Sequence, residues 1–316
     1  MRLIVNIPAY NEEKTIADVI RKIPRHIEGF REVKVQVIND GSTDRTIEVS
    51  KGAGADIIVS HPRNAGVGAA FKTGIESALS NGADVMVNID ADGQFPASDI
   101  PKFTELIVGG KADMVVASRF GIKSAKNMPW VKSFLNRLAA SIIGKFLNYP
   151  IDDLTCGFRA LSRETMLRLN LAYRFTYTQE TIIDAISKNM IVRWIPVEVH
   201  YFSDRKSKVV KSISKFVFQS FLIIIRTVRD ARPMVFFGIP GVTLITAAVA
   251  IGIAFLGYYF SHFKVSPFRT WLALAVILLL VGIQLLIFAL IADMIRNSRK
   301  LTEEQMYFLK KEKYKK

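Results

Sequence analysis

From Pro233 to Ser261 the chain carries no charged residue, and from Thr270 to Ala292 there is again none. Apolar runs of that length can cross a bilayer with some tilt. The other reading is a pair of buried helices in a soluble core. Only His262 to Arg269 separates the runs, so two spans form a tight hairpin with both flanks on one side. Arg226, Arg229 and Arg232 precede the hairpin, and Arg296, Arg299 and Lys300 follow it, whereas the connecting loop holds only Lys264 and Arg269. The positive-inside rule then places everything before and after the hairpin, both termini included, at the cytoplasmic face of the cell membrane. The spans are expected at 234–260 and 270–292 within a 233–295 segment. Tyr258, Tyr259 and Trp271 near their ends read as interfacial anchors. The basic tail, 296–316, alternates Glu and Lys and reads as a short helix or surface segment without chemistry.

Ahead of the hairpin the chain is long enough for one domain of about 200 residues. Its apolar start, Met1 to Ile7, is too short for a signal peptide and reads as a first strand. The net charge of +15, from 43 Lys and Arg against 28 Asp and Glu, calls for an anionic partner. The positive charge concentrates after residue 200 beside the apolar runs, which favours a membrane surface. Nucleic acid is not expected, because no aromatic platform for a single strand accompanies the charge. The single cysteine, Cys156, excludes an internal disulfide and fits a reducing compartment. It reads as a small buried side chain. With four scattered histidines, a His/Cys metal site is not expected either.

Residues 1–120 alternate short apolar runs, at 3–7, 33–38, 57–59, 85–89 and 113–117, with helical patterns at 12–28, 44–54, 66–81 and 97–109. The alternation predicts a mostly parallel sheet covered by helices on both faces, with ligands at the carboxyl ends of its strands. Three polar loops fall at those ends: Pro8 to Glu13, Asn39 to Asp44, and Asp90 to Gln94. They are expected to converge on one cleft. In the third, Asp90-Ala91-Asp92 places two carboxylates just past a buried strand, where desolvation is costly without a partner. Hard oxygen ligands suit Mg2+ or Mn2+, which would in turn bridge a diphosphate. Gly66-Val67-Gly68 reads equally well as part of a phosphate loop or as close helix packing. Arg159 either binds phosphate or braces the site through a buried salt bridge.

Two further segments read as amphipathic helices. Residues 131–149 carry Val131, Phe134, Leu135, Leu138, Ile142, Ile143, Phe146 and Leu147 as an apolar stripe, with Lys132, Asn136 and Lys145 off it. Residues 211–232 form a second such segment, flanked by Arg and Lys. Basic amphipathic helices beside membrane spans are expected to dock at the bilayer interface.

The ordered set I-P-A-Y-N-E-E, N-D-G-S-T-D-R-T, R-N-A-G-V-G-A-A, D-A-D-G-Q, S-R and T-C-G-F-R-A resembles the family 2 glycosyltransferases. Within them the chain is most similar to the polyprenyl-phosphate type, typified by dolichol-phosphate mannose synthase. The resemblance implies a Rossmann-like α/β catalytic domain of GT-A fold over 1–210. It also implies transfer, with inversion, of a sugar from a nucleotide-diphosphate donor (GDP-mannose or a UDP-sugar) to a membrane dolichyl or undecaprenyl phosphate. By the same resemblance, Pro8, Tyr10, Glu12, Asp40 and Asp90 hold the nucleotide, and Asp90 and Asp92 the metal. Gln94 lies near the diphosphate, and Arg119 near the transferred or acceptor phosphate. Lys132 and Asn136 touch the lipid phosphate, and Glu180 is an acid on the acceptor side. Asp44 reads instead as a helix N-terminal acid. A homo-oligomer is compatible with the pattern.

Two departures stand out. The loop after the last strand, Phe202-Ser203-Asp204-Arg205-Lys206-Ser207-Lys208, keeps a Ser-Lys ending but lacks the glycine that members of the type often carry. Arg205, Ser207 and Lys208 are its candidate lid residues. Lys132 stands where an Arg would offer phosphate a bidentate fork. Two other functions are weighed. A processive polysaccharide synthase would carry Gln where Met190 stands ahead of Arg193-Trp194, and would need more than two spans. An inactive nucleotide-binding scaffold would not need an intact Asp90-Ala91-Asp92.

Overall fold

The computed structural model describes residues 1–120, 130–170 (130–132 as backbone only), 177–199, parts of 221–230, 232–266 and 268–315. The chain forms two compact units, one of Met1–Val217 with Gln305–Lys316, the other of Phe218–Glu304.

The first unit is built on a seven-stranded sheet of order β3-β2-β1-β4-β6-β5-β7. Its strands are β1 (Arg2–Ala9), β2 (Glu32–Asn39), β3 (Ile57–Ser60), β4 (Val85–Asn88), β5 (Met114–Ser118), β6 (Arg159–Ser162) and β7 (Val192–Pro196). The five strands expected in the first 120 residues are all present, and their mutual pairings are parallel where they neighbour one another. Leu3, Ile4, Val5 and Ile7 on β1 and Met114 to Ala117 on β5 are fully buried, as strands covered on both faces require. One strand departs from the parallel scheme. β6 inserts between β4 and β5, antiparallel to both, with Asn88 and Val116 opposite Arg159.

The connecting helices are α1 (Ile16–Lys22), α2 (Thr46–Gly52), α3 (Val67–Ser80) and α4 (Ile100–Val108, entered through a 3-10 turn at Ala97–Asp99). α1 is shorter than its 12–28 pattern. Pro24 forces Ile23 to an extended backbone at ψ 123°, which ends the helix, and residues 11–15 are drawn into a loop. Beyond the sheet core lie α5 (Trp130–Leu147), α6 (Arg163–Arg168) and α7 (Tyr177–Ser187).

α5 divides its side chains differently from the apolar stripe read in the sequence. It buries Asn136, Ala139, Ala140, Ile143 and Gly144, which are small or polar apart from Ile143. It exposes Phe134, Leu138 and Ile142 at 58, 46 and 41 %, interleaved with exposed Arg137, Ser141 and Lys145. The buried face is chosen by Asp153, which accepts a 2.9 Å hydrogen bond from Asn136 Nδ2.

The second unit contains α8 (Ile239–His262), preceded by a π-turn at Met234–Gly238, and most of α9 (Arg269–Lys313). Both helices are long and apolar enough to cross a membrane. Their buried positions are small: Gly241 and Ala248 on α8, and Ala275, Gly282 and Ala289 on α9. Those on α9 recur every seventh residue, so one seam of the helix faces its partner. A Cβ on Gly282 would lie 2.6 Å from Ile245 and 2.9 Å from the Gly241 carbonyl, so the backbones touch there. The large apolar side chains point outward, Ile253 at 65 % and Leu280 at 62 % exposed. This is how helices pack in lipid, and it is the reverse of a soluble core.

α9 does not stop at residue 292 but runs on through the polar tail, supported by ion pairs such as Arg299 to Glu303 at 2.8 Å. Its last turns pack on α6 of the first unit. Tyr307 Oη donates to Glu164 at 3.2 Å under the Arg168 guanidinium. Lys310 Nζ donates to the Leu169 carbonyl at 2.8 Å and to Asn170 Oδ1 at 2.9 Å, and Arg163 reaches the Tyr314 carbonyl. The tail is therefore part of the first unit's packing.

Candidate active site

Parallel strands deliver their carboxyl ends to one edge of the sheet, and the antiparallel β6 brings its amino end there too. The three polar loops meet at that edge. Asn11 N–H donates to Ser42 Oγ and Asn11 Oδ1 accepts from Thr43 N–H, both at 2.9 Å. Glu12 N–H donates to Thr46 Oγ1 at 2.8 Å, and Thr15 Oγ1 donates to the Ala91 carbonyl at 2.8 Å and to Glu12 at 3.1 Å. Asn11 takes a left-handed backbone, φ 55°, to make this crossing. Asp44 accepts from Thr46 N–H at 3.0 Å and Glu13 N–H at 3.2 Å, the role of an acid at a helix start. Although burial opposes it, bonds from Thr46 and Glu13 hold the Asp44 carboxyl below its usual range.

Asp40 is 3 % exposed and its carboxylate accepts three bonds, from Ala65 N–H, Gly66 N–H and His61 Nδ1, at 2.9, 2.9 and 2.8 Å. His61 Nε2 in turn meets Thr73 Oγ1 at 2.9 Å. The amides at the start of α3 that a phosphate loop would present are thus engaged by Asp40. The sequence reading missed His61 and Thr73, since nothing local links a histidine after β3 to an acid after β2.

Asp90 and Asp92 stand half-buried at the end of β4. Burial, then the charge of Asp92, pushes the Asp90 carboxyl up to about 7 against the opposing pull of Arg159 and Arg119. Two like charges under such pressure fit a divalent cation, which would relieve it. Among the described residues no three His, Cys, Asp or Glu side chains cluster to hold a metal. The protein would supply these two carboxylates, and oxygens of a ligand or water the remainder. Asp92 Oδ1 accepts from the Gln94 N–H at 3.0 Å, which keeps the turn closed.

Arg119 follows β5 and is 7 % exposed. Its Nε and Nη2 donate to the two oxygens of Asp153 at 2.7 and 2.8 Å, and Nη2 also reaches Thr155. Burial works against the Asp153 charge, but Arg119 with bonds from Thr155 and Asn136 outweighs it and holds the carboxyl below its usual range. Asp153 is the partner the sequence did not disclose. Asn136, expected at the acceptor phosphate, is buried with its Nδ2 on Asp153 and its Oδ1 without a partner among the described residues. The Lys132 side chain and the 202–208 loop lie outside the described residues. Tyr10 is 38 % exposed at the cleft, and Glu12 is buried beside it. Glu180 lies in the first turn of α7.

Cys156 is buried, and that burial pushes its thiol up to about 12, away from the thiolate a nucleophile needs. Arg159 is fully buried and forms no ion pair among the described residues. It donates to carbonyls and a hydroxyl instead.

A family model described as glycosyl transferase family 2 matches residues 4–168, the span that carries these loops. The UDP-N-acetylglucosamine–dolichyl-phosphate N-acetylglucosaminyltransferase of Methanococcus voltae is 32% identical over 216 residues, covering 62% of this chain and 84% of its own length. The glycosyltransferase AglJ of Haloferax volcanii is 28% identical over 304 residues, 95% of this chain and 94% of its own. The glucosyl-3-phosphoglycerate synthase of Mycobacterium tuberculosis, solved with Mn2+, UDP and glucosyl-3-phosphoglycerate, shares the fold. It superposes with a TM-score of 0.55 at 21% identity over 71% of this chain and 79% of that one. The motifs, the sheet edge that gathers them and a family match across more than half the sequence agree, and the chain belongs to glycosyl transferase family 2.

Proposed function

We propose that the protein transfers a sugar from a nucleotide-diphosphate donor to a polyprenyl phosphate in the membrane, working at the cytoplasmic face with Mg2+ or Mn2+. The observation that carries this reading is the Asp90 and Asp92 pair beside the Arg119–Asp153 pair, in a chain that also has two helices of bilayer length. The dolichyl-phosphate transferase among its relatives supports the acceptor class.

Tyr10, Glu12 and Pro8, the last near the carboxyl end of β1, line the nucleotide side of the cleft. Asp40 keeps that side in shape by clamping the 61–66 loop. Asp90 and Asp92 would hold the cation, which would supply compensation for the charge of the diphosphate leaving group. Arg119, held rigid by Asp153, offers a fixed positive charge to phosphate oxygens, which lowers the barrier because it needs no reorganisation. A phosphate monoester oxygen is anionic near neutral pH, so attack on the sugar carbon does not require a strong general base. Glu180 orients the acceptor side. The test is a donor screen with purified protein in vesicles containing polyprenyl phosphate, read by product mass. A lipid-phosphate sugar is the expected product. Glycosylation of a soluble acceptor alone would overturn the reading.

The exposed face of α5 supports a membrane acceptor. Phe134, Leu138 and Ile142 interleaved with Arg137 and Lys145 suit the headgroup boundary of a bilayer with anionic lipids. Beside this face a cleft of about 540 Å³ is lined by Phe120, Arg137, Lys145, Tyr149 and Asp152, among others. The double change Phe134→Asp with Leu138→Asp is expected to lower turnover of polyprenyl phosphate by about tenfold while leaving nucleotide binding intact. Equal turnover in bilayers would remove α5 from the membrane contact.

A further inference from the structure

Arg159 has the largest fully buried side chain among the described residues. A buried guanidinium without an ion pair is costly, so its contacts need a reason. Nη2 donates to the Cys156 carbonyl, in the loop that carries Asp153 and Gly157. Nη1 donates to the Thr178 carbonyl at 3.2 Å and to Thr181 Oγ1, on either side of Glu180 in α7. The guanidinium carbon lies 5.2 Å from the centre of the Tyr177 ring, which stacks on Phe71 at 4.2 Å. One side chain thus ties the loop behind Asp90 to the first turns of α7.

Tyr177 joins the same two parts from the other side. Asn88, two residues before Asp90, donates from Nδ2 to the Gly157 carbonyl at 3.1 Å and to Tyr177 Oη at 3.3 Å. A Cβ on Gly157 would stand 2.9 Å from both Asp90 oxygens and 3.1 Å from Tyr177 Oη, so the three groups are in direct packing. Asn88 is itself anchored, accepting from Asn6 Nδ2 at 2.7 Å, and Asn6 accepts from Gln36 at 2.8 Å. This chain of buried amides crosses β2, β1 and β4 and ends at Tyr177.

We propose that Arg159 and Tyr177 form a brace that holds the acceptor-side helix α7 at a set distance from the Asp90 and Asp92 carboxylates. They are positioning residues, and neither touches substrate. The inference rests on the proposed function for the role of Glu180. Arginine is required because the brace has three directions, a carbonyl on the loop, the helix turn and the ring face. Lysine offers a single ammonium and can serve one or two of them.

The test uses the full chain in polyprenyl-phosphate vesicles, with Arg159→Lys and Tyr177→Phe. Tyr177→Phe keeps the ring on Phe71 and removes only the hydroxyl, so it guards against a folding failure of the first variant. Affinity for the nucleoside diphosphate with Mn2+ is measured by calorimetry, separately from kcat and KM for the acceptor. Arg159→Lys is expected to lose about 30-fold to 100-fold in kcat, as a misplacement of about 1 Å would cause, with nucleotide affinity within about threefold of the parent. Tyr177→Phe is expected to lose about fivefold in kcat with the same unchanged affinity. Unchanged kcat in both variants overturns the brace. So does a parallel loss of kcat and nucleotide affinity, which marks a general structural role. Failure of the parent protein to use polyprenyl phosphate is a separate outcome that strikes the proposed function, and the variants are then compared with the parent on the acceptor it does use.

Discussion

Asp92→Ala is expected to abolish sugar transfer, lowering kcat by about a thousandfold or more. Only two carboxylates stand at the end of β4, and no third His, Cys, Asp or Glu clusters with them among the described residues. On the proposed function, losing one would leave a single protein carboxylate for the cation, and the diphosphate would leave with less of its charge compensated. The change should be local. Asp92 is half-buried in the turn after β4, where it takes the Gln94 N–H at 3.0 Å, so the loss falls on that turn. Nucleotide affinity in the presence of Mn2+ should fall with activity, whereas nucleotide affinity in the presence of a chelator should stay as in the parent. Thermal unfolding should be no lower than in the parent, because the change also relieves the repulsion on Asp90. Full transfer by Asp92→Ala would remove this acid from the site and reopen the reading of the chain as a nucleotide-binding scaffold.

Asp153→Ala is expected to destabilise the first unit strongly. Asp153 is fully buried and Arg119 is 7 % exposed. Removing the carboxylate strands a buried guanidinium, with Asn136 Nδ2 and Thr155 N–H losing their acceptor as well. Breaking such a pair costs about 3–5 kcal/mol. In a unit of this size that lowers Tm by about 10 °C. Arg119→Met combined with Asp153→Leu should recover most of the stability, since an apolar pair of similar volume needs no desolvation, yet activity should stay low. Differential scanning of the purified chain reads both. A Tm within about 2 °C of the parent for Asp153→Ala would show that the pair is not a stability element. The sign with pH follows from the lowered carboxyl. Asp153 is charged and stabilising above its ordinary value of 3.8, and its contribution disappears as the pH falls through the lower folded value. Parent and Asp153→Ala should therefore converge in stability in acid.

Much of this architecture is written locally. The apolar runs of β1 to β5, the polar loops after β1, β2 and β4 and the uncharged runs of α8 and α9 each depend on a few neighbouring residues. Their periodicity or length survives whatever the rest of the chain does. The convergence of the three loops also follows, because parallel strands must present their carboxyl ends together. On α5 a helical wheel separates Asn136 from the apolar stripe, and Phe134, Leu138 and Ile142 of that stripe are exposed, but what Asn136 packs on, the buried Asp153, is set by a residue outside the helix. The tail reads as polar and charged, and only the presence of α6 beneath it gives Tyr307, Lys310 and Tyr314 something to pack on.

The sequence by itself determined the layered α/β domain, its polar loops at the strand ends, the Asp90 and Asp92 pair and the bilayer-length hairpin, because each rests on short-range pattern. Tertiary structure alone decided that β6 would enter antiparallel between β4 and β5. That insertion carries Asp153 to Arg119 across 34 residues of sequence and sets Gly157 against Asp90, with Arg159 beneath α7. Strand order is a choice among long-range pairings, which short-range sequence pattern does not encode.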